Sequence, residues 1–250
     1  MSGHSHWAKV KRSKASTDAR RGRLWGKLAR RIIVAAKTGG GSPDENLTLR
    51  YAIDDARAAN MPNDTIDRAI KKGTGELGGE SYDTVVYEGY GPGGVAFLVE
   101  GLTDNRNRTA SEVRHIFDRN SGQMGSANSV AWMFTSKGTF VVAADAVDED
   151  TLMEIALDAG AQDIRQEGDL FEVLCEAADF ARLKQSLADR EIATVSAEIA
   201  MVPANRVAVE GDNARRIVAI MEALEDHDDV QNVYSNFDIP EEILAQAGGS

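Results

Sequence analysis

The chain has 250 residues, of which 42% are hydrophobic and 27% charged, and its formal net charge is −12. These are globular proportions that exclude a wholly disordered chain, and the length suits two or three compact domains. No apolar run reaches the ~18–20 residues that span a bilayer, the N-terminus lacks the apolar core of a secretory signal, and the lone cysteine, Cys175, excludes an internal disulfide or a cysteine metal cluster.

Residues 1–17 show no apolar period and are rich in Ser, Lys, Gly and His, so an extended or mobile arm is expected. Asp18 to Lys37 reads as a helix. At 100° per residue, Leu24, Trp25, Leu28, Ala29, Ile32, Ile33, Ala35 and Ala36 share one arc. Arg20, Arg23, Lys27, Arg30, Arg31 and Lys37 share the opposite arc, with Arg21 outside it. Residues 1–37 hold eleven Lys/Arg against the single acid Asp18, whereas residues 81–250 hold twelve against thirty-one acids. Such a chain is expected to offer its cationic end to a phosphate backbone and keep its acidic bodies clear. A solubilising tail is the plainer alternative.

Thr38-Gly39-Gly40-Gly41 ends this helix. A second is expected from Ser42, with Pro43 in the first turn and Glu45 completing a capping box, burying Leu49, Ala52, Ile53, Ala56 and Ala59. A third follows Met61-Pro62, with Ile66, Ala69 and Ile70 inward and Arg68, Lys71 and Lys72 outward. The glycine-rich run Gly73 to Gly79 reads as a linker, so residues 1–79 form a helical domain with a basic arm.

Strands come next. Thr84–Gly89 and Val95–Thr103 form a hairpin around Tyr90-Gly-Pro-Gly-Gly94. A helix capped by Thr109, with Glu112 three residues on, buries Val113, Ile116 and Phe117, and a Gly/Ser-rich loop (121–129) leads to Val130-Ala-Trp-Met-Phe134. Between Gly138 and Pro203 the elements run β-α-β-β-α-β, the ferredoxin-like arrangement. Residues 84–134 have too few elements to cover a sheet, and residues 205–237 supply strand, helix and strand. The expected fold is therefore α+β: a helical domain (1–79) followed by two ferredoxin-like α/β sandwiches. One is discontinuous (80–136 and 204–240), and the other (137–203) is inserted into it.

Gly89, Gly91 and Gly94 match G-x-G-x-x-G, but the following segment is a strand rather than the helix a dinucleotide requires, so a hairpin turn is expected. His4 and His6 beside Trp7 have no further metal-ligating partner nearby, and suit phosphate contact and base stacking better than a metal. Asp148-Glu-Asp150 opens a helix, Glu225-Asp-His-Asp-Asp229 ends one and is expected to be solvated, and Cys175 lies in an apolar strand. No nucleophile and base are paired, and no enzyme is expected. In Thr103-Asp-Asn-Arg-Asn-Arg-Thr109, Arg106 and Arg108 suit either a phosphate at the helix N-terminus or internal pairing with Asp104 and Asp118.

The segment Gly3-His-Ser-His-Trp-Ala-Lys-Val-Lys-Arg-Ser-Lys-Ala-Ser-Thr-Asp-Ala-Arg-Arg-Gly-Arg23 resembles the opening of the YebC family. So do Asn60-Met-Pro-Asn63 with Ile66-Asp-Arg-Ala-Ile70, Tyr87-Glu-Gly-Tyr-Gly-Pro92, Thr103 to Thr109, and Ala131-Trp-Met-Phe134. Leu24-Trp25 stands where Ile/Phe-type residues are expected. The resemblance implies a three-domain cytosolic bacterial protein with a helical first domain. Family members are described as DNA-binding transcriptional regulators, while similar proteins, including a mitochondrial translational activator, act on translating ribosomes.

The residues themselves favour backbone or shape recognition, because the basic helix has no Asn or Gln for base edges. The expected contacts are His4, His6, Trp7, Lys9, Lys11, Arg12, Lys14, Arg20, Arg23, Lys27, Arg30, Arg31, Arg106 and Arg108. Their expected partner is DNA or ribosomal RNA, in the cytoplasm, with no cofactor, metal, membrane or small-molecule substrate. A protein-interaction adaptor built on the acidic domains is the further alternative.

Overall fold

The computed structural model describes residues 18–78 and 81–240, with side chains from residue 21. Helices α1 (Asp18–Gly39), α2 (Leu47–Ala58) and α3 (Asn63–Gly73) close on a core of Leu28, Ile32, Ile33, Leu49, Ile53 and Ile66. The expected arc of α1 turns inward, except that Leu24 is exposed. Trp25 fixes the bundle by donating its indole N–H to the Ala59 carbonyl at 3.0 Å.

The start of α2 differs from the expected capping box. Ser42 to Glu45 closes a turn instead, and Asn46 is the cap, accepting from Leu49 N–H at 3.1 Å. Asn46 outcompetes Ser42 because an amide also donates. Its Nδ2 reaches the carbonyls of Ala35 and Gly40, both at 2.8 Å, and so satisfies the end of α1 and the start of α2 together.

A four-stranded antiparallel sheet, ordered β3-β1-β2-β9, forms the middle of the molecule. Its strands are β1 (Asp83–Tyr90), β2 (Ala96–Thr103), β3 (Gln123–Met124) and β9 (Val230–Ser235). The turn between β1 and β2 is the glycine motif, where Gly93 and Gly94 take φ of 77° and 79°, a region L side chains rarely enter. Helices α4 (Arg106–Arg119) and α7 (Gly211–Asp226) bury one face of the sheet. Phe97 and Phe117 meet edge to face there at 5.6 Å, beneath Ile217 and Met221. A short parallel pair, β8 (Val207–Ala208) with β10 (Phe237–Asp238), flanks the sheet. On the opposite face Ala96 and Leu98 are covered by Val130 and Phe134.

Between β3 and β8 the chain builds β4 (Phe134–Ala143), α5 (Glu149–Asp158), β5 (Ala161–Glu167), β6 (Leu170–Glu176), α6 (Phe180–Asp189) and β7 (Thr194–Pro203). The sheet order is β5-β6-β4-β7, antiparallel throughout, so two β-α-β units interleave. Phe140, Leu152, Leu183 and Leu187 fill its core. Cys175 is buried, and burial, helped by Asp179 and Glu176, raises its thiol pKa; Asp148 caps α5 by accepting from Thr151 N–H at 2.9 Å. In the middle sheet, by contrast, the hairpin comes first, so β1-β2-α4-β3 precedes the insert and β8-α7-β9-β10 follows it. That order, hairpin and helix first and strand, helix and strand after the insert, differs from the insert's β-α-β-β-α-β. Among the described residues no helix is long and apolar enough to cross a membrane.

Candidate nucleic-acid interface and the charge network behind it

His4, His6, Trp7, Lys9, Lys11, Arg12 and Lys14 lie outside the described residues, as does the side chain of Arg20. Arg23, Lys27 and Arg30 of α1 are not held clear of the acidic bodies, which corrects the expectation of a free cationic face. Arg23 Nη2 lies 3.4 Å from Asp226 Oδ1, and Lys27 Nζ donates to the Glu225 carbonyl at 2.5 Å. Arg30 donates to the Asp228 carbonyl and sits 3.6 Å from Asp229 Oδ1, with Tyr82 under its guanidinium. Arg31 pairs with Asp55 of α2 at 3.0 Å, and Lys37 donates to Ser81.

The cause is the composition of α7. Its last turn carries Glu225 and Asp226 and no basic residue, so carboxylates crowd the negative end of the helix dipole. Three cations from α1 supply the missing counter-charge. The acidic run that looks solvated in sequence is thus the seat of the helical domain.

Asp229 organises this junction, and its side chain is only 4% exposed. Thr109 Oγ1 donates to Asp229 Oδ2 at 2.6 Å, Arg108 Nη2 donates at 2.7 Å, and Thr103 Oγ1 lies 3.1 Å away. Burial of Asp229 pushes its pKa up, but hydrogen bonds from Thr109, Arg108 and Thr103 outweigh it and hold the carboxyl below its ordinary range. Its backbone serves too, since its carbonyl accepts from Leu102 N–H at 2.8 Å and also crowds Gly101, where a Cβ would come within 2.8 Å of it.

Arg106 and Arg108 therefore serve internal pairing, with one of the two expected acids, Asp104, and with others not expected. Arg108 also holds Asp104 at 2.8 Å and approaches Glu112 at 3.8 Å, and Arg106 holds Asp83 at 3.2 Å; Asp118 is not the partner of either. α4 begins at Arg106 under the cap Asn105, which accepts from Arg108 N–H at 3.1 Å. Thr109 is consequently an interior residue, free to bond Asp229 rather than cap.

Glu112, His227 and Asp229 bring three potential metal ligands together. Their geometry does not fit a metal. His227 Nδ1 accepts from Asp229 N–H at 3.1 Å, so Nε2 carries the proton toward Glu112 Oε2 at 3.0 Å. Both ring nitrogens are used, and Arg108 is the cation between the carboxylates.

A second buried carboxylate, Glu88, escapes detection in sequence. It accepts backbone N–H groups of Asn128 at 2.6 Å, Val130 at 2.6 Å and Ala131 at 2.8 Å. Burial raises its pKa, but these bonds prevail and lower it below the ordinary value of 4.5. A lowered pKa means the stabilisation is present above the unfolded value and lost as pH falls through the folded one. Glu88→Gln is expected to cost about 1–3 kcal/mol at pH 7, with the difference from the parent shrinking below about pH 4 in thermal unfolding.

Fold and site together define a mixed α+β protein in which a basic helical domain is docked by charge onto the first of two sheet-containing units. The family described as "TACO1/YebC protein N-terminal domain" matches residues 5–76, and "TACO1/YebC second and third domain" matches residues 82–237. The chain belongs to the TACO1/YebC family. It is 54% identical over 245 residues to a "Probable transcriptional regulatory protein" of Syntrophobacter fumaroxidans, covering 98% of each chain. A protein of the same name from Natranaerobius thermophilus is 49% identical over 247 residues, covering 98% of this chain and 99% of that one. The crystal structure of a conserved hypothetical protein from Aquifex aeolicus superposes with a TM-score of 0.82 at 44% identity, covering 92% of this chain and 95% of that one.

Proposed function

We propose that this chain is a non-enzymatic nucleic-acid-binding regulatory protein of the cytoplasm, a DNA-binding regulator of transcription that grips the phosphate backbone with its N-terminal end. The observation that carries the reading is the charge split: eleven cations against one acid in residues 1–37 of a chain whose net charge is −12. The names of its relatives support a regulatory role. Lys9, Lys11, Arg12 and Lys14, with His4, His6 and Trp7 among them, make the first contact, and no acid precedes Asp18. Arg23, Lys27 and Arg30 contribute by exchanging carboxylate and carbonyl partners for phosphates.

That exchange gives the reading a direct test. Asp226 is exposed and pairs with Arg23 at 3.4 Å, a pair worth at most about 1 kcal/mol. Asp226→Asn is expected to tighten binding to duplex DNA about 2–5-fold at low salt, measured by fluorescence anisotropy. Unchanged affinity at every salt concentration would remove α1 from the interface. Comigration with ribosomes, lost with the arm, would instead favour a translation factor acting on ribosomal RNA.

A further inference from the structure

Arg23, Lys27 and Arg30 stand at i, i+4 and i+7 of α1 and so form one stripe along the helix. Cations on an outer helix face ordinarily extend into water, yet all three are half-buried. They lie against the end of α7, where residues 225–229 hold the acids Glu225, Asp226, Asp228 and Asp229. This row of negative charge stands where phosphates would have to lie for the stripe to bind them.

The rest of the junction is loosely built. Among the described residues the core of the helical domain takes in Tyr82, which precedes β1, but no side chain of the middle sheet itself. A cleft of about 310 Å³ lies between Arg31, Val34, Thr38 and Thr48 of the helical domain and Leu102 of β2. Between α3 and β1, Gly75 and Gly78 take φ of 87° and 84°, and a Cβ at either would meet no atom within 4 Å. A domain contact that is polar rather than large and hydrophobic leaves its domains free to part, and salt weakens it. Parting strands no buried charge. Arg30 approaches Asp229 through Oδ1, whereas Thr103, Arg108 and Thr109 hold Oδ2 and stay with the middle unit.

We propose that this contact is autoinhibitory: the acidic end of α7 occupies the phosphate-binding stripe of α1, and nucleic acid reaches the stripe only after the helical domain has swung off the middle unit. The chain then has a docked and an open state, and a ligand that engages the stripe in the open state alone draws the equilibrium toward it. The observed affinity is the intrinsic one reduced by the fraction of open chains, so the end of α7 sets how strong a polyanion must be to bind. This inference rests on the nucleic-acid reading above and adds to it a domain movement, which can be followed without any nucleic acid.

The test uses the full chain carrying Arg23→Cys and Asp226→Cys, joined by a bis-maleimide whose spacer holds a reducible disulfide; the native Cys175 is buried away from the reagent. The linked chain is expected to bind duplex DNA about 10–60-fold more weakly at about 0.1 M salt than the same chain after the spacer is reduced. Its slope of log affinity against log salt should be shallower by about 2, because Lys27 and Arg30 are withheld from phosphate. Without nucleic acid, the radius of gyration of the parent chain in small-angle scattering should rise as salt is raised from about 0.05 to about 0.5 M, and the linker should abolish the rise. Equal affinity and slope before and after reduction overturn the autoinhibitory contact while nucleic-acid binding stands. A parent radius indifferent to salt overturns it too. If the released chain does not bind the duplex at all, the nucleic-acid reading falls and this inference with it.

Discussion

Removal of residues 1–17 is expected to lower affinity for duplex DNA by about three orders of magnitude at about 0.1 M salt. The segment carries Lys9, Lys11, Arg12 and Lys14 and no acid. Each phosphate neutralised contributes about −0.9 to the slope of log affinity against log salt on duplex DNA, so the slope should become shallower by about 3–4. The residual binding would report what α1 supplies once its cations leave Asp226 and the carbonyls of Glu225 and Asp228. An affinity and slope indifferent to the truncation would defeat the electrostatic mechanism and turn attention to an adaptor role for the acidic units.

Asp229→Asn is expected to be the most damaging single substitution at the junction, costing about 2–4 kcal/mol. The substitution removes the charge that Thr109, Arg108 and Arg30 share, and it turns an amide N–H₂ toward groups that are themselves donors. In a chain of this length that corresponds to a melting temperature lower by about 5–15 °C, readable by calorimetry at pH 7. The pH dependence has a fixed sign. The folded pKa of Asp229 lies below the ordinary 3.8, so its contribution is complete above about pH 4 and fades as pH falls through the folded value. Parent and variant should therefore converge on acidification. A difference that persisted undiminished well below the ordinary carboxyl range would mean that the charge is not what stabilises the site.

On the proposed reading, latching and binding use the same residues. Lys27 and Arg30 serve the negative end of α7 in the described state, and a phosphate chain would have to outbid it. Carboxylates and carbonyls at a helix end are weaker competitors than closely spaced phosphates at low salt, and salt screens both. On that reading the latch would favour strongly anionic polymers over isolated anions.

Much of the architecture was legible because it is local. The arc of Leu28, Ile32 and Ile33, the turn glycines Gly93 and Gly94, the helix that opens at the acidic run from Asp148 and the interleaved order of residues 138–203 follow from helical period, allowed dihedrals and strand alternation. Helix starts are less legible. Ser42 and Thr109 have capping chemistry, but Asn46 holds the first position because its amide satisfies three groups at once, and Asn105 holds the second by accepting from Arg108 N–H while Thr109 bonds Asp229.

The chain by itself therefore determined the α+β class, the helical first unit, the hairpin and the segregation of positive charge at one end. Each depends on neighbours within a few positions or on a simple sum. Only the tertiary structure decided that Asp229 is buried among Thr103, Arg108 and Thr109, that Glu88 pins a loop forty residues away, and that Arg23, Lys27 and Arg30 face the end of α7. A carboxylate's role depends on which donors surround it in space, and a run of acids looks the same in sequence whether it meets water or arginine.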